Sequence, residues 1–174
     1  HRKGLLSLYK ADHKIDAGSD KAVSRGVHNR LADYLDEHGT GPELVPIKAE
    51  RVSRKDDLNP YIQFDPESCV VCGLCVRYCD EVEAVSAITL LGRGSKTTIG
   101  TADQKGLLDT SCELCGGCVA VCPTGAMTEK PSVDANPEQE TVVRSTCNFC
   151  GVGCQLNLHV QDGKVSRVTS PPPG

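Results

Sequence analysis

The sequence predicts a small α+β protein of short elements, with cysteine-rich loops at its centre. Three observations carry that expectation. Of 174 residues, 11 are Cys, while there is no Trp, only 2 Phe and 4 Tyr. The hydrophobic fraction of 39% includes those cysteines, so little bulky apolar material remains for a core, and something else must hold its centre. The cysteines fall into three clusters, two of which repeat one spacing. Helical periodicity is confined to the first forty residues, and strict alternation to the last twenty. With Gly at 17 and Pro at 10, the chain favours turns over long elements, which excludes a coiled coil, a helical bundle and a membrane protein.

The net charge is −4, from 19 basic and 23 acidic residues without a like-charge block. That balance gives no electrostatic basis for binding nucleic acid. The longest apolar run, near Ala84 to Leu91, is far short of a membrane span. No signal-peptide pattern is present, so a cytoplasmic location is expected. The first residues, His1-Arg2-Lys3, and the last, Pro171-Pro172-Pro173-Gly174, read as cut edges.

Taken in order, Leu5, Leu6, Leu8 and Tyr9 suggest the end of a helix. Val27, Leu31, Tyr34 and Leu35 stand at helical spacing before Gly39. Residues 40–60 read as a polar connection, and Tyr61 to Phe64 as a short strand entering the first cysteine loop. Ala84 to Leu91 is a second apolar segment, with a polar, Gly-rich excursion from Gly92 to Gly100. Thr128 to Glu140 reads as an exposed linker. Gln155 to Val160 and Lys164 to Val168 alternate around Asp162-Gly163, the signature of a β-hairpin.

The cysteine spacing carries the chemistry. Cys69, Cys72, Cys75 and Cys79 form a C-x2-C-x2-C-x3-C run, and Cys112, Cys115, Cys118 and Cys122 repeat it 43 residues later. Disulfides fit poorly, since thiols this close in a tight loop rarely reach bridging geometry. Zinc needs four ligands, usually as two separated knuckles, and a third cysteine in each loop would be surplus. The spacing is instead that of bacterial ferredoxins holding two [4Fe–4S] clusters, closed by Cys122-Pro123. Gly73, Gly116 and Gly117 allow close backbone approach, so that N–H groups can face the sulfurs. In two-cluster ferredoxins the fourth cysteine serves the other cluster. The expected sets are therefore Cys69, Cys72, Cys75 with Cys122, and Cys112, Cys115, Cys118 with Cys79. Two adjacent one-electron carriers without a substrate pocket make a wire, and no catalytic residue is expected in this segment. The bland alternative is a pair of purely structural clusters.

The third group, Cys147, Cys150 and Cys154, has C-x2-C-x3-C spacing and no fourth cysteine downstream. Spacing leaves zinc and a further cluster both open. His13, His28, His38 and His159 could in principle be ligands; His28 and His38 read as solvated, and His159 on the hairpin as structural. Asp80, Glu81 and Glu83 read as a solvated acidic face.

The segment Pro60-Tyr61-Ile62-Gln63-Phe64-Asp65, followed by Cys69 to Arg77, resembles an electron-input module. That module is shared by NAD-linked formate dehydrogenases, the large iron–sulfur subunit of complex I and iron-only hydrogenases. Thr146 to Cys154, with the hairpin Val160 to Val165, looks like the opening of a molybdopterin-dependent catalytic domain, particularly that of the formate dehydrogenase alpha subunit. The resemblance implies that Cys147, Cys150 and Cys154 hold a third [4Fe–4S] cluster, with its fourth ligand outside the chain. Leu5 to His13 resembles the helix before a cluster ligated as H-x3-C-x2-C-x5-C, but Ala17, Asp20 and Gly26 stand where its cysteines would be.

The implied organisation is a helical segment with a degenerate cluster region (1–58) and a ferredoxin-like domain with two [4Fe–4S] clusters (59–127). A linker (128–141) and the truncated start of a molybdopterin-oxidoreductase module (142–174) follow. The implied function is electron relay between a molybdenum or tungsten pterin site and NAD. Molybdopterin, flavin and NAD would lie in adjoining regions or partners: a flavin/NAD-binding subunit and the remainder of the pterin-containing catalytic subunit, in a multi-subunit complex. The same relay in a complex I-type or hydrogenase-linked NADH oxidoreductase, and a free-standing two-cluster carrier, are the alternatives.

Overall fold

A computed structural model describes residues 1–12, 30–45, 58–130 and 139–171. His13, Ala17, Asp20, Gly26 and His28 lie outside the described residues, as do 131–138 of the expected linker. Helix α1 (Arg2–Asp12) packs on α2 (Arg30–His38) through buried Leu6 and Leu35. The backbone N–H of Arg30 donates to Pro123 O at 3.0 Å, tying the start of α2 to the end of the second cysteine run.

The centre of the molecule is closed by two very short strands from its two ends. Strand β1 (Ile62–Phe64) pairs antiparallel with β4 (Met127–Glu129), Gln63 opposite Thr128. The pairing continues outward, with Asp65 N–H to Ala126 O and Lys130 N–H to Tyr61 O, both at 2.7 Å. Buried Asn59 prepares the strand start: its Oδ1 accepts from Ile62 N–H at 2.6 Å and its Nδ2 donates to Ile62 O at 2.8 Å. Thr128 and Glu129, at the head of the expected linker, are strand residues, and Thr128 is buried.

Between these strands lie the two cysteine loops. The first feeds α3 (Leu74–Arg77) and a π-helical turn (Tyr78–Val82), and the second feeds α4 (Gly117–Ala120). A hairpin separates them, β2 (Thr89–Leu91) with β3 (Thr98–Gly100), Leu90 opposite Ile99. The polar excursion expected over 92–100 thus ends in strand, over its last three residues. Thr98 and Ile99 are β-branched, and the fold buries both, Ile99 in the core, a gain invisible in a window with three Gly and two basic residues.

The core unites Ile62, Ile88, Ile99, Ala126 and Met127 with Cys69 and Cys75, and Cys79, Cys118 and Cys122 pack against it. Each large apolar side chain contributes about 1.5–3 kcal/mol by burial, and so few of them leave the centre dependent on the cysteines.

The last layer is a three-stranded antiparallel sheet, β5 (Thr141–Thr146), β6 (Gln155–Gln161) and β7 (Lys164–Thr169), in that order. The expected β6–β7 hairpin is present, and its turn residues Asp162 and Gly163 have φ of 51° and 73°, as a type I′ turn requires. Strand β5, in register with β6 from Thr141 opposite Val160 to Thr146 opposite Gln155, is not among the expected elements.

Candidate metal centres

The two cysteine runs repeat in backbone as well as in sequence. Val71 and Leu114 have φ of 53° and 56°, and Gly73 and Gly116 have φ of 73° and 76°. A left-handed residue before each short helix turns the loop back on itself; for the non-glycine pair this costs about 1–3 kcal/mol each. The turn aims N–H groups at sulfur. Val71 N–H donates to Cys69 Sγ and Leu114 N–H to Cys112 Sγ, each at 3.4 Å. The fourth cysteines receive theirs from outside the loops: Ala87 N–H to Cys79 Sγ at 3.3 Å and Met127 N–H to Cys122 Sγ at 3.4 Å. The π-helical turn anchors Cys79, whose carbonyl accepts from Val85 and Ser86 N–H at 3.0 and 3.1 Å.

Two cavities divide the eight cysteines. One, of about 280 Å³, is lined by Cys79 with Cys112, Cys115 and Cys118, and walled by Ile62, Phe64 and Ile88 among others. The other, of about 20 Å³, is lined by Cys122 with Cys69, Cys72 and Cys75. Each cavity thus takes three cysteines from one run and the fourth from the other. The smaller one is little larger than a water.

Electrostatics decides what these thiols can do. Burial, reinforced by neighbouring Cys69, Cys118, Cys122 and Cys72, pushes the Cys75 thiol up to about 12. Burial again, then Cys112 and Cys115, pushes Cys118 up to about 12. Four thiolates in one apolar pocket are therefore untenable without a cationic centre among them. Among the described residues, no three of His, Cys, Asp or Glu converge on the position of a single ion. The thiols ring cavities instead. Sulfur donors, apolar walls and N–H···S bonds together fit a polynuclear iron–sulfur group in the larger cavity; in the smaller one, donors and N–H groups fit and the room is tighter.

Cys147, Cys150 and Cys154 lie in the loop joining β5 to β6, at one end of the sheet. Cys147 N–H donates to Cys154 O at 2.8 Å, pinching the loop shut. Cys150 and Cys154 are exposed, and Phe149, just before Cys150, is 93% exposed.

His38 stacks on Tyr34 with ring centroids 6.1 Å apart. His159 is buried, Nδ1 against Glu140 Oε2 at 3.0 Å and Nε2 against Thr169 Oγ1 at 2.9 Å. Glu140 is the residue that sequence reasoning missed. It stands at the end of the expected linker, yet its side chain is 2% exposed, accepting from Ser166 Oγ at 2.8 Å and Arg167 at 2.9 Å. Burial pushes the Glu140 carboxyl up, but the bonds from Arg167 and Ser166 and the charges of Arg167 and His159 outweigh it and hold it below its ordinary value. Glu129 is pushed up, chiefly by burial.

Residues 59–128 match the family model of the NADH-quinone oxidoreductase subunit 3 ferredoxin-like domain. Residues 140–174 match the molybdopterin oxidoreductase Fe4S4 domain. The chain is 42% identical over 175 residues to the NADPH-Fe(3+) oxidoreductase subunit alpha of Geobacter sulfurreducens, covering 97% of this chain and 19% of that protein. It is 31% identical over 171 residues to an NADH-quinone oxidoreductase subunit of Rhizobium meliloti, with the same coverage. An NAD+-reducing [NiFe]-hydrogenase in the H2-reduced state superposes with a TM-score of 0.58 at 25% identity, over 74% of this chain and 53% of that one. The chain thus spans about a fifth of the length of these two curated relatives. Its central segment, residues 59–128, is thus similar to the ferredoxin-like domain of such oxidoreductases.

Proposed function

We propose that this chain is the iron–sulfur relay of a pyridine-nucleotide-linked oxidoreductase. Cys69, Cys72, Cys75 and Cys122 hold one [4Fe–4S] cluster, and Cys79, Cys112, Cys115 and Cys118 hold the other. The observation that carries the reading is the division of eight cysteines between two cavities, three from one run and one from the other in each. When bound, such a group supplies one-electron exchange without making or breaking a bond to substrate. The chain's own residues do the rest. The thiols orient the group, the N–H groups of Val71, Ala87, Leu114 and Met127 stabilise negative charge on sulfur, and the aliphatic walls keep water away. Because each run serves both sites, the two carriers stay adjacent.

Cys147, Cys150 and Cys154 contribute three ligands to a third cluster completed by a residue elsewhere, a reading supported by the match of residues 140–174 to a molybdopterin oxidoreductase Fe4S4 domain. A narrower version, in which a molybdenum or tungsten pterin site oxidises formate and a flavin-bearing partner subunit reduces NAD, rests on the resemblance of Thr146 to Cys154 to formate dehydrogenases; the match bears only on its pterin part. The named relatives are subunits, consistent with a multi-subunit assembly, in the cytoplasm on this reading. Among the described residues no helix is long and apolar enough to cross a membrane.

Iron and acid-labile sulfide analysis tests the reading. About eight of each per chain is expected for two clusters, and about twelve when the third is complete. One or two zinc ions without sulfide would overturn it. Formate-dependent bleaching of the cluster absorbance in the whole enzyme, against NADH-dependent bleaching alone, separates the formate version from the broader one.

A further inference from the structure

Among the positions at which the two copies of the 43-residue repeat differ, two meet in space. Leu74 of the first run corresponds to Gly117 of the second, and Tyr78 corresponds to Val121. In the fold the Tyr78 ring lies on Gly117: a Cβ there would fall on the ring, overlapping Cε1 and Cδ1 and reaching Cζ at 2.8 Å. The two departures compensate each other, since the missing side chain makes room for the added ring.

The backbone beneath the ring is held as well. In the π-helical turn Glu83 N–H donates to Tyr78 O at 3.1 Å, an i to i+5 bond. So fixed, Tyr78 lines the larger cavity with Cys79, Cys112, Cys115 and Cys118. The smaller cavity has no counterpart: neither Val121 nor Leu74 lines it, and Leu74 is 41% exposed.

We propose that Tyr78 is a positioning residue that makes the two repeat-related sites unequal. Its ring, seated on Gly117, shields the site of Cys79, Cys112, Cys115 and Cys118 from water and lowers the reduction potential of the cluster held there. The proposal rests on the assignment of the eight cysteines as cluster ligands. One-electron reduction makes such a site more negative, and water stabilises the more negative state, so excluding water lowers the potential. Because the ring covers one site, it acts on one potential.

An EPR-monitored redox titration of the holoprotein tests this, with Cys115→Ser marking which signal belongs to the larger cavity. In Tyr78→Val the midpoint of that cluster is expected to rise while the other stays in place. Gly117→Ala, which displaces the ring without removing it, should move the same midpoint in the same direction. Tyr78→Phe keeps the ring and should titrate like the wild type. The proposal is overturned if Tyr78→Val leaves both midpoints in place or moves them equally, or if Tyr78→Phe moves the midpoint as far as Tyr78→Val. Should Tyr78→Val fail to retain its clusters, Gly117→Ala and Tyr78→Phe decide on the same criteria. Iron and sulfide are measured on the same samples. Their absence from the wild type counts against the ligand assignment itself, whereas full loading with unmoved potentials counts against Tyr78 alone.

Discussion

Met127 donates its backbone N–H to Cys122 Sγ at 3.4 Å, from a strand that pairs with β1 on the far side of the first cysteine loop. Cys122 belongs to the second run by sequence, but the strand pairing hands it to the first run's cavity. The bond from Thr124 Oγ1 to Ser68 O, at 2.7 Å across 56 residues, clamps the same crossing.

A cysteine change should therefore be felt across the repeat. Cys122→Ser is expected to alter the EPR signal and midpoint of the cluster that Cys72→Ser also alters, and Cys79→Ser that of the cluster altered by Cys115→Ser. Matching signals within each run, rather than between runs, would contradict the exchange.

Removal of iron should cost most of the fold of residues 59–128. Two of the seven buried core members are cysteines, and three more cysteines pack against them. Metal–thiolate binding of this kind is folding free energy. Oxidative iron removal with a chelator is expected to abolish the cooperative thermal transition followed by far-UV circular dichroism. An unchanged midpoint would show that the aliphatic core suffices.

Two glycines should separate backbone preference from collision. Gly73 and Gly92 have similar φ, 73° and 75°, but a Cβ at 73 meets nothing within 4 Å, whereas one at 92 comes within 2.7 Å of Lys96 O. Gly73→Ala is expected to cost about 1–2 kcal/mol for the left-handed conformation alone. Gly92→Ala should cost clearly more and open the β2–β3 hairpin, as read by denaturant titration of the holoprotein. Equal costs would contradict the close approach.

The β5–β6–β7 sheet should lose stability in acid through Glu140. Its folded value lies below the ordinary 4.5, so its contribution is present above the unfolded value and lost as pH falls through the folded one. Glu140→Gln is expected to flatten the stability curve below about pH 4.5, the ordinary carboxyl value. Glu140→Ala, which takes the carboxylate away from half-buried Arg167, should cost about 1–3 kcal/mol near neutrality. A wild-type acid limb retained in Glu140→Gln would assign the acid loss to other carboxyls.

What was legible in the sequence was local. The cysteine runs, the Asp162-Gly163 turn and the helix ending before Gly39 are written within a few residues of themselves, and the structure carries each. What was not legible depended on distant partners. Strand β5 sets Val142 beside Val143 instead of alternating, and its identity comes from pairing with β6. Glu140 reads as solvated until Ser166 and Arg167, on β7, close around it. The seat of Tyr78 on Gly117 is hidden for the same reason, although the broken repeat marks both positions.

An iron-edge anomalous difference map of the crystallised holoprotein tests the central claim most directly. Two four-iron peaks are predicted, one bound by Cys69, Cys72, Cys75 and Cys122, the other by Cys79, Cys112, Cys115 and Cys118. Single-atom peaks, or clusters each bound by the four cysteines of one run, would contradict it.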